Sequence, residues 1–132
     1  MAIIYAPKSG TVLICSFTGT VPEMIKRRPV VLLSSVSPRL AIVVPLSTTW
    51  PQPIMPWHYL LRLPELLPEP YNKGIECWVK GDMIATVSFE RLNFPFVGKD
   101  KDGKRIYQIN QITEDDLDAV RSSVWRAVLG SC

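Results

Sequence analysis

The chain has 132 residues, of which 47% are hydrophobic and 20% charged, and its formal net charge is +3. That composition describes one folded domain with enough chain for a core, and it excludes a disordered protein. No apolar run approaches the roughly 18 residues of a membrane span, so no membrane association is expected, and the small positive charge permits an RNA ligand without requiring one.

The N-terminal stretch Met1–Lys8 has no basic region ahead of an apolar core, so a secretory signal is not expected. Three cysteines, Cys15, Cys77 and Cys132, are odd in number and widely spaced, with no CxxC pair. They argue against a disulfide framework and a zinc site, and a reducing cytoplasm is the simplest location. Twelve prolines cut the chain into short pieces. Apolar and β-branched runs predict strands at Gly10–Phe17, Val30–Ser34, Leu40–Leu46, Trp57–Leu63, Glu76–Val79, Asp82–Val87 and Arg105–Ile109. Two loops stand out: the partly basic Gly19–Arg27 and the proline-rich Pro64–Gly74, where Pro64–Leu67 allows one helical turn. Asp102-Gly103, set between lysines, predicts a hairpin turn.

The last element predicted is a helix over 113–129. Thr113 is its N-cap, Glu114, Asp115 and Asp116 place negative charge on the first turn, and Gly130 stops it. Leu117, Val120, Val124 and Val128 form one apolar stripe, with Trp125 beside it as a packing residue. The whole reads as a single domain, 1–132, mostly β, an SH3-like small barrel with a C-terminal α-helix packed on it.

The most informative pair of segments is Lys26–Ser34 and Ala41–Thr49. If they form a symmetric antiparallel hairpin, its midpoint lies in the loop Ser35–Leu40. The midpoint of Arg28 and Ser47 falls between Ser37 and Pro38, within that loop. A guanidinium and a hydroxyl then meet at the open end of one hairpin, which suits a phosphodiester. Breaking a phosphodiester requires the attacking oxygen to lose its proton, the charge on pentacovalent phosphorus to be stabilised, and the leaving oxygen to be neutralised. Arginine suits the charge because its planar fork offers several donors. Thr48 is the alternative hydroxyl, but neighbours on a strand face opposite sides, so only one of Ser47 and Thr48 faces Arg28.

Lys26 and Arg27 either add phosphate contacts or keep a loop solvated. His58, the only histidine, is either a hydrogen-bonded structural residue or a substrate-contacting base. Trp50, beside a proline-bounded loop, is the best candidate to stack an unpaired base. Asp82, Asp100 and Asp102 are too scattered for a metal site. No P-loop, dinucleotide motif, GxSxG or HExxH is present, so no metal and no cofactor are expected.

Arg28-Pro29 opening a strand, with Ser47 closing the next, resembles the MazF/PemK family of toxin endoribonucleases. Gly10 with Thr11–Ile14, Pro56–Leu61, Trp78–Val87 and Arg91-Leu92 extend the resemblance across roughly Gly10 to Leu92, plus the C-terminal helix. The family shares the mostly β fold with a terminal helix. The resemblance implies that Arg28 is the catalytic arginine, acting as acid and anion stabiliser, and that Ser47 stands where the family usually has a catalytic threonine. Arg27, Lys26, Thr48, Trp50 and His58 are then substrate-binding candidates. Ala85 is a departure, because many members have an arginine there. The implied function is the toxin of a type II toxin–antitoxin system, a metal-independent, sequence-selective endoribonuclease of single-stranded RNA leaving 2′,3′-cyclic phosphate and 5′-hydroxyl ends. The implied partners are a cognate antitoxin protein and a second copy in a homodimer. Two alternatives remain at this point: a catalytically impaired RNA- or protein-binding module, and a gyrase-targeting toxin on the same fold.

Overall fold

The computed structural model describes residues 7–18 and 25–130. The N-terminal residues 1–6, most of the Gly19–Arg27 loop and Cys132 lie outside them, and with them the expectations placed there.

Nine strands and one helix follow in order. They are β1 (Val12–Thr18), β2 (Ile25–Ser35), β3 (Leu40–Ser47), β4 (His58–Arg62), β5 (Glu76–Lys80), β6 (Ala85–Ser88), β7 (Leu92–Asn93), β8 (Phe96–Lys99), β9 (Arg105–Tyr107) and α1 (Glu114–Leu129). The main sheet runs β4-β5-β3-β2-β1-β7, antiparallel throughout, and β6 also pairs with β3. Strand β3 therefore forks. Its first half, Leu40–Val43, carries β6, and its last two residues, Leu46 and Ser47, carry β5.

The long apolar runs have a direct cause. Alternate side chains of β1, β2 and β3 enter two separate cores on opposite faces of the sheet. Val12, Val31, Val44 and Leu46 join the core shared with β4, β5 and α1, whereas Leu13, Val30, Leu32 and Val43 join a second core with Val87, Phe89 and Leu92. With both faces covered, no position in mid-strand needs to be polar.

Helix α1 is capped as its sequence predicts. The Thr113 side chain accepts the Asp116 N–H at 3.2 Å, and Gly130 ends the helix at φ 78°. Leu117, Val120 and Val124 are buried, each worth about 1.5–3 kcal/mol. The end of the helix departs from expectation: Val128 is 65% exposed and Trp125, next to buried Val124, is 60% exposed. Tyr59 on β4 pins the other end, donating to Asp116 at 2.8 Å. Burial pushes the Tyr59 phenol pKa up, and the Asp116 carboxylate adds to that.

Two local expectations are corrected, and one strand is added. Residues 81–83 form a 3-10 turn, so β6 starts at Ala85 and not at Asp82. The turn is required because α1 passes close by: a Cβ on Gly81 would sit 2.8 Å from the Ser123 carbonyl and the Trp57 oxygen. Pro64–Leu67 is a bend and not a helical turn, since Leu67 is drawn into the core, 2% exposed. Phe96–Lys99 is a strand that the sequence pattern did not reveal; it pairs with β9 through the expected Asp102-Gly103 turn. Asp100 caps that turn, accepting the Asp102 and Lys104 N–H groups at 2.8 and 2.9 Å.

Candidate active site

The β2–β3 ladder pairs Val30 with Pro45, Val31 with Val44 and Leu32 with Val43. Each pair has its midpoint between Ser37 and Pro38. Carried two residues outward, the same register sets Arg28 across from Ser47. On its other side Arg28 lies opposite Cys15 of β1, and Ser47 lies opposite Trp78 of β5.

The sheet ends there in a cleft of about 210 Å³. Arg28 and Ser47 both line it, as do Arg27, Thr48, Thr49 and Lys73. Its floor is apolar, with Leu46, Leu67 and Cys77 all buried. Among the described residues three charged ones line the cleft, Arg27, Arg28 and Lys73, and all are cations. A cavity with that lining attracts a phosphate.

The structure corrects the argument that set Ser47 against Thr48. Strand β3 stops at Ser47, so the rule of alternating faces no longer governs Thr48. The cleft cuts across the strand ends and takes consecutive residues from both, Arg27-Arg28-Pro29 and Leu46 through Thr49. The Ser47 Oγ accepts the Thr49 N–H at 3.1 Å. A hydroxyl that accepts from the backbone keeps its own proton to donate elsewhere. That bond also restrains the rotamer which a threonine methyl would otherwise restrict.

Other candidates sit apart from the cleft. The His58 Nδ1 accepts the Met55 N–H at 2.9 Å and its ring edges against Trp57 at 6.2 Å, so it fastens the turn into β4 and does not line the cleft. Trp50 is 62% exposed and meets Trp78 edge-on at 5.0 Å, one residue beyond the lining. Lys26 is exposed, with φ 70°, near the start of β2 and outside the lining. Ala85 pairs with Val43 and packs beside the second core. Ala85 does not line this cleft.

Sequence reasoning missed one wall. Tyr71 and Lys73 belong to the proline-rich segment and reach the cleft because that segment folds down over the strand ends. Leu67, the buried residue between its prolines, was the available signal. Gln108 and Asn110 tie the segment in place by donating to the Leu66 and Glu65 carbonyls, each at 2.9 Å. Cys77 is in the floor, and burial pushes its thiol up to about 11. Near neutral pH it is protonated and is no nucleophile, which leaves the guanidiniums and hydroxyls as the reactive equipment.

Comparison with known proteins bears on this site. The family model described as PemK-like, MazF-like toxin of type II toxin-antitoxin system matches residues 8–127. No curated protein matches the chain by sequence. Among solved structures, an endoribonuclease in complex with its cognate antitoxin from a mycobacterial species is similar, with a TM-score of 0.59 and 16% identity over 93% of this chain and 95% of that one. A second mycobacterial endoribonuclease gives 0.60 and 16%, over 95% and 93%. At that identity the likeness is one of fold.

Proposed function

Because the chain belongs to the family of PemK-like, MazF-like toxins of type II toxin–antitoxin systems, we propose that it is an endoribonuclease cutting single-stranded RNA, without a metal ion, in the cleft between Arg28 and Ser47. The observation that carries this is the lining of that cleft: among the described residues, cations alone of the charged groups, around a hydroxyl already oriented by the backbone.

The reaction fits those groups. The ribose 2′-oxygen gives up its proton to solvent water and bonds to the adjacent phosphorus, and the bond from phosphorus to the 5′-oxygen breaks. The products are a 2′,3′-cyclic phosphate and a 5′-hydroxyl, whose oxygen takes a proton from solvent water as it leaves. Arg28 stabilises the added charge on the non-bridging oxygens through its planar fork. Ser47 donates its hydroxyl proton to one of those oxygens, held by the Thr49 N–H. Arg27 and Lys73 position the strand through its phosphates.

The antitoxin named with the first neighbour extends by analogy to this chain: a cognate protein with an acidic segment would occupy the same cationic cleft. The working form is a cytoplasmic homodimer.

The test is incubation of the purified protein with long single-stranded RNA in EDTA, beside Arg28→Ala. Discrete fragments ending in cyclic phosphate, absent with the variant, are expected. Intact RNA with the unaltered protein at enzyme-level concentration overturns the reading and favours a binding module on this fold.

A further inference from the structure

The cleft does not end at Arg27. Arg27, Pro70 and Tyr71 also line a second depression of about 540 Å³ beside it. That volume is within the range of about 300–1,000 Å³ typical of small-molecule sites. Its far side is the β8–β9 hairpin. Phe96 and Tyr107 face each other there edge-on at 5.8 Å, and the Arg105 guanidinium lies 5.5 Å from the Phe96 ring centre. Arg91 stands between the two walls, fixed by donating to the Thr18 hydroxyl at 2.8 Å.

The chemistry of this depression is that of a nucleotide site. An aromatic ring and a guanidinium, held as a pair, make a ledge on which any base can stack. Three guanidiniums, Arg27, Arg91 and Arg105, outnumber the two carboxylates, Glu69 and Glu90. The balance favours a phosphate and also offers acceptors for base amino groups.

We infer that this depression is a nucleotide subsite for the RNA strand flanking the bond cut at Ser47, with a base on the Phe96–Arg105 ledge and a phosphate on Arg27 and Arg91. The inference rests on the ribonuclease reading for its ligand. The continuity of the two depressions at Arg27 and Tyr71 is what assigns them to one strand. The mixed charge and the stacked ledge favour RNA over the acidic peptide of an antitoxin, for which two carboxylates in the site are a hindrance.

The test uses uncleavable 2′-O-methyl RNA, a labelled dinucleotide and a longer mixed-sequence strand, with binding read by fluorescence anisotropy. Phe96→Ala is expected to weaken the longer strand by about five- to a hundredfold and to leave the dinucleotide unchanged. Arg91→Gln should lower the slope of log affinity against log salt by about 0.7, one phosphate's share on a single strand. Phe96→Tyr, which keeps the ring, guards against a folding failure in Phe96→Ala: it should bind the longer strand within about twofold of the unaltered protein. Binding of the longer strand as tight in Phe96→Ala as in the unaltered protein, binding as weak in Phe96→Tyr as in Phe96→Ala, or no binding by the unaltered protein at all, overturns the inference. The cleavage assay is read separately. Cleavage with unaffected binding removes the subsite alone, and no cleavage with Phe96-dependent binding removes the ribonuclease reading alone.

Discussion

Ser47→Ala separates catalysis from folding at a single atom. The lost hydroxyl has one intramolecular bond, from the Thr49 N–H at 3.1 Å, and that donor is on an exposed turn where water replaces the oxygen. The stability change should therefore stay within about 0.5 kcal/mol. The catalytic loss is larger. A hydrogen bond to a charged group contributes about 1.5–3 kcal/mol, and each 1.36 kcal/mol is about tenfold in rate. The expected fall in kcat/KM is thus about 10- to 150-fold. Ser47→Thr retains the oxygen and should keep most of the activity. The assay is initial-rate cleavage of a fluorogenic RNA, with thermal melts run on the same preparations. A loss of less than about threefold in Ser47→Ala, with an unchanged melt, would refute the role given to this hydroxyl and shift it to Thr48.

Gly81→Ala drives a methyl to 2.8 Å from backbone atoms of Ser123 and Trp57. Overpacking of that kind costs about 1–3 kcal/mol, so the melting temperature should fall by about 4–12 °C, and an unchanged melt would contradict the close approach of α1. Thr113→Ala removes the cap on Asp116 and should lower stability by about 1 kcal/mol in a urea titration. Cys77, with its thiol pushed up to about 11, should resist alkylation near neutral pH. Its labelling rate should climb as pH rises and the thiolate forms, and rapid modification of Cys77 in the native protein at neutral pH, mapped by mass spectrometry, would count against its burial. Arg28→Lys keeps the charge but loses the fork, so cleavage should drop at least tenfold, with kcat affected more than KM.

The β2–β3 hairpin could be read from sequence because its two apolar runs have comparable length and one short loop. Those facts fix the midpoint, and the midpoint fixes which residues lie opposite. The helix was equally legible, since Thr113, the acidic first turn and Gly130 are local signals. The proline-rich wall was not. Prolines tell where regular structure stops, but where the intervening chain comes to rest depends on contacts with Gln108 and Asn110, some forty residues away. Strand β8 was hidden because Phe96–Lys99 is short and contains Gly98. The exposed end of the helix was hidden because an apolar stripe does not record how far the surface beneath it extends. The separation of His58 and Trp50 from the cleft follows from the fork in β3, which no local pattern announces.

That proline-rich wall has a consequence for when the site comes into being. Arg28 and Ser47 belong to a hairpin closed by neighbours in sequence, the kind of contact a chain makes early. The segment that carries Tyr71 and Lys73 is tied at Leu66 and Glu65 by Gln108 and Asn110, which are added to the chain later. A growing polypeptide thus carries half of its cleft for the time it takes to add those residues. A C-terminal truncation before Gln108 would leave the hairpin without the wall that completes the cleft. Should the ribonuclease assay succeed, this order of assembly makes the catalytic pair before the wall that encloses it.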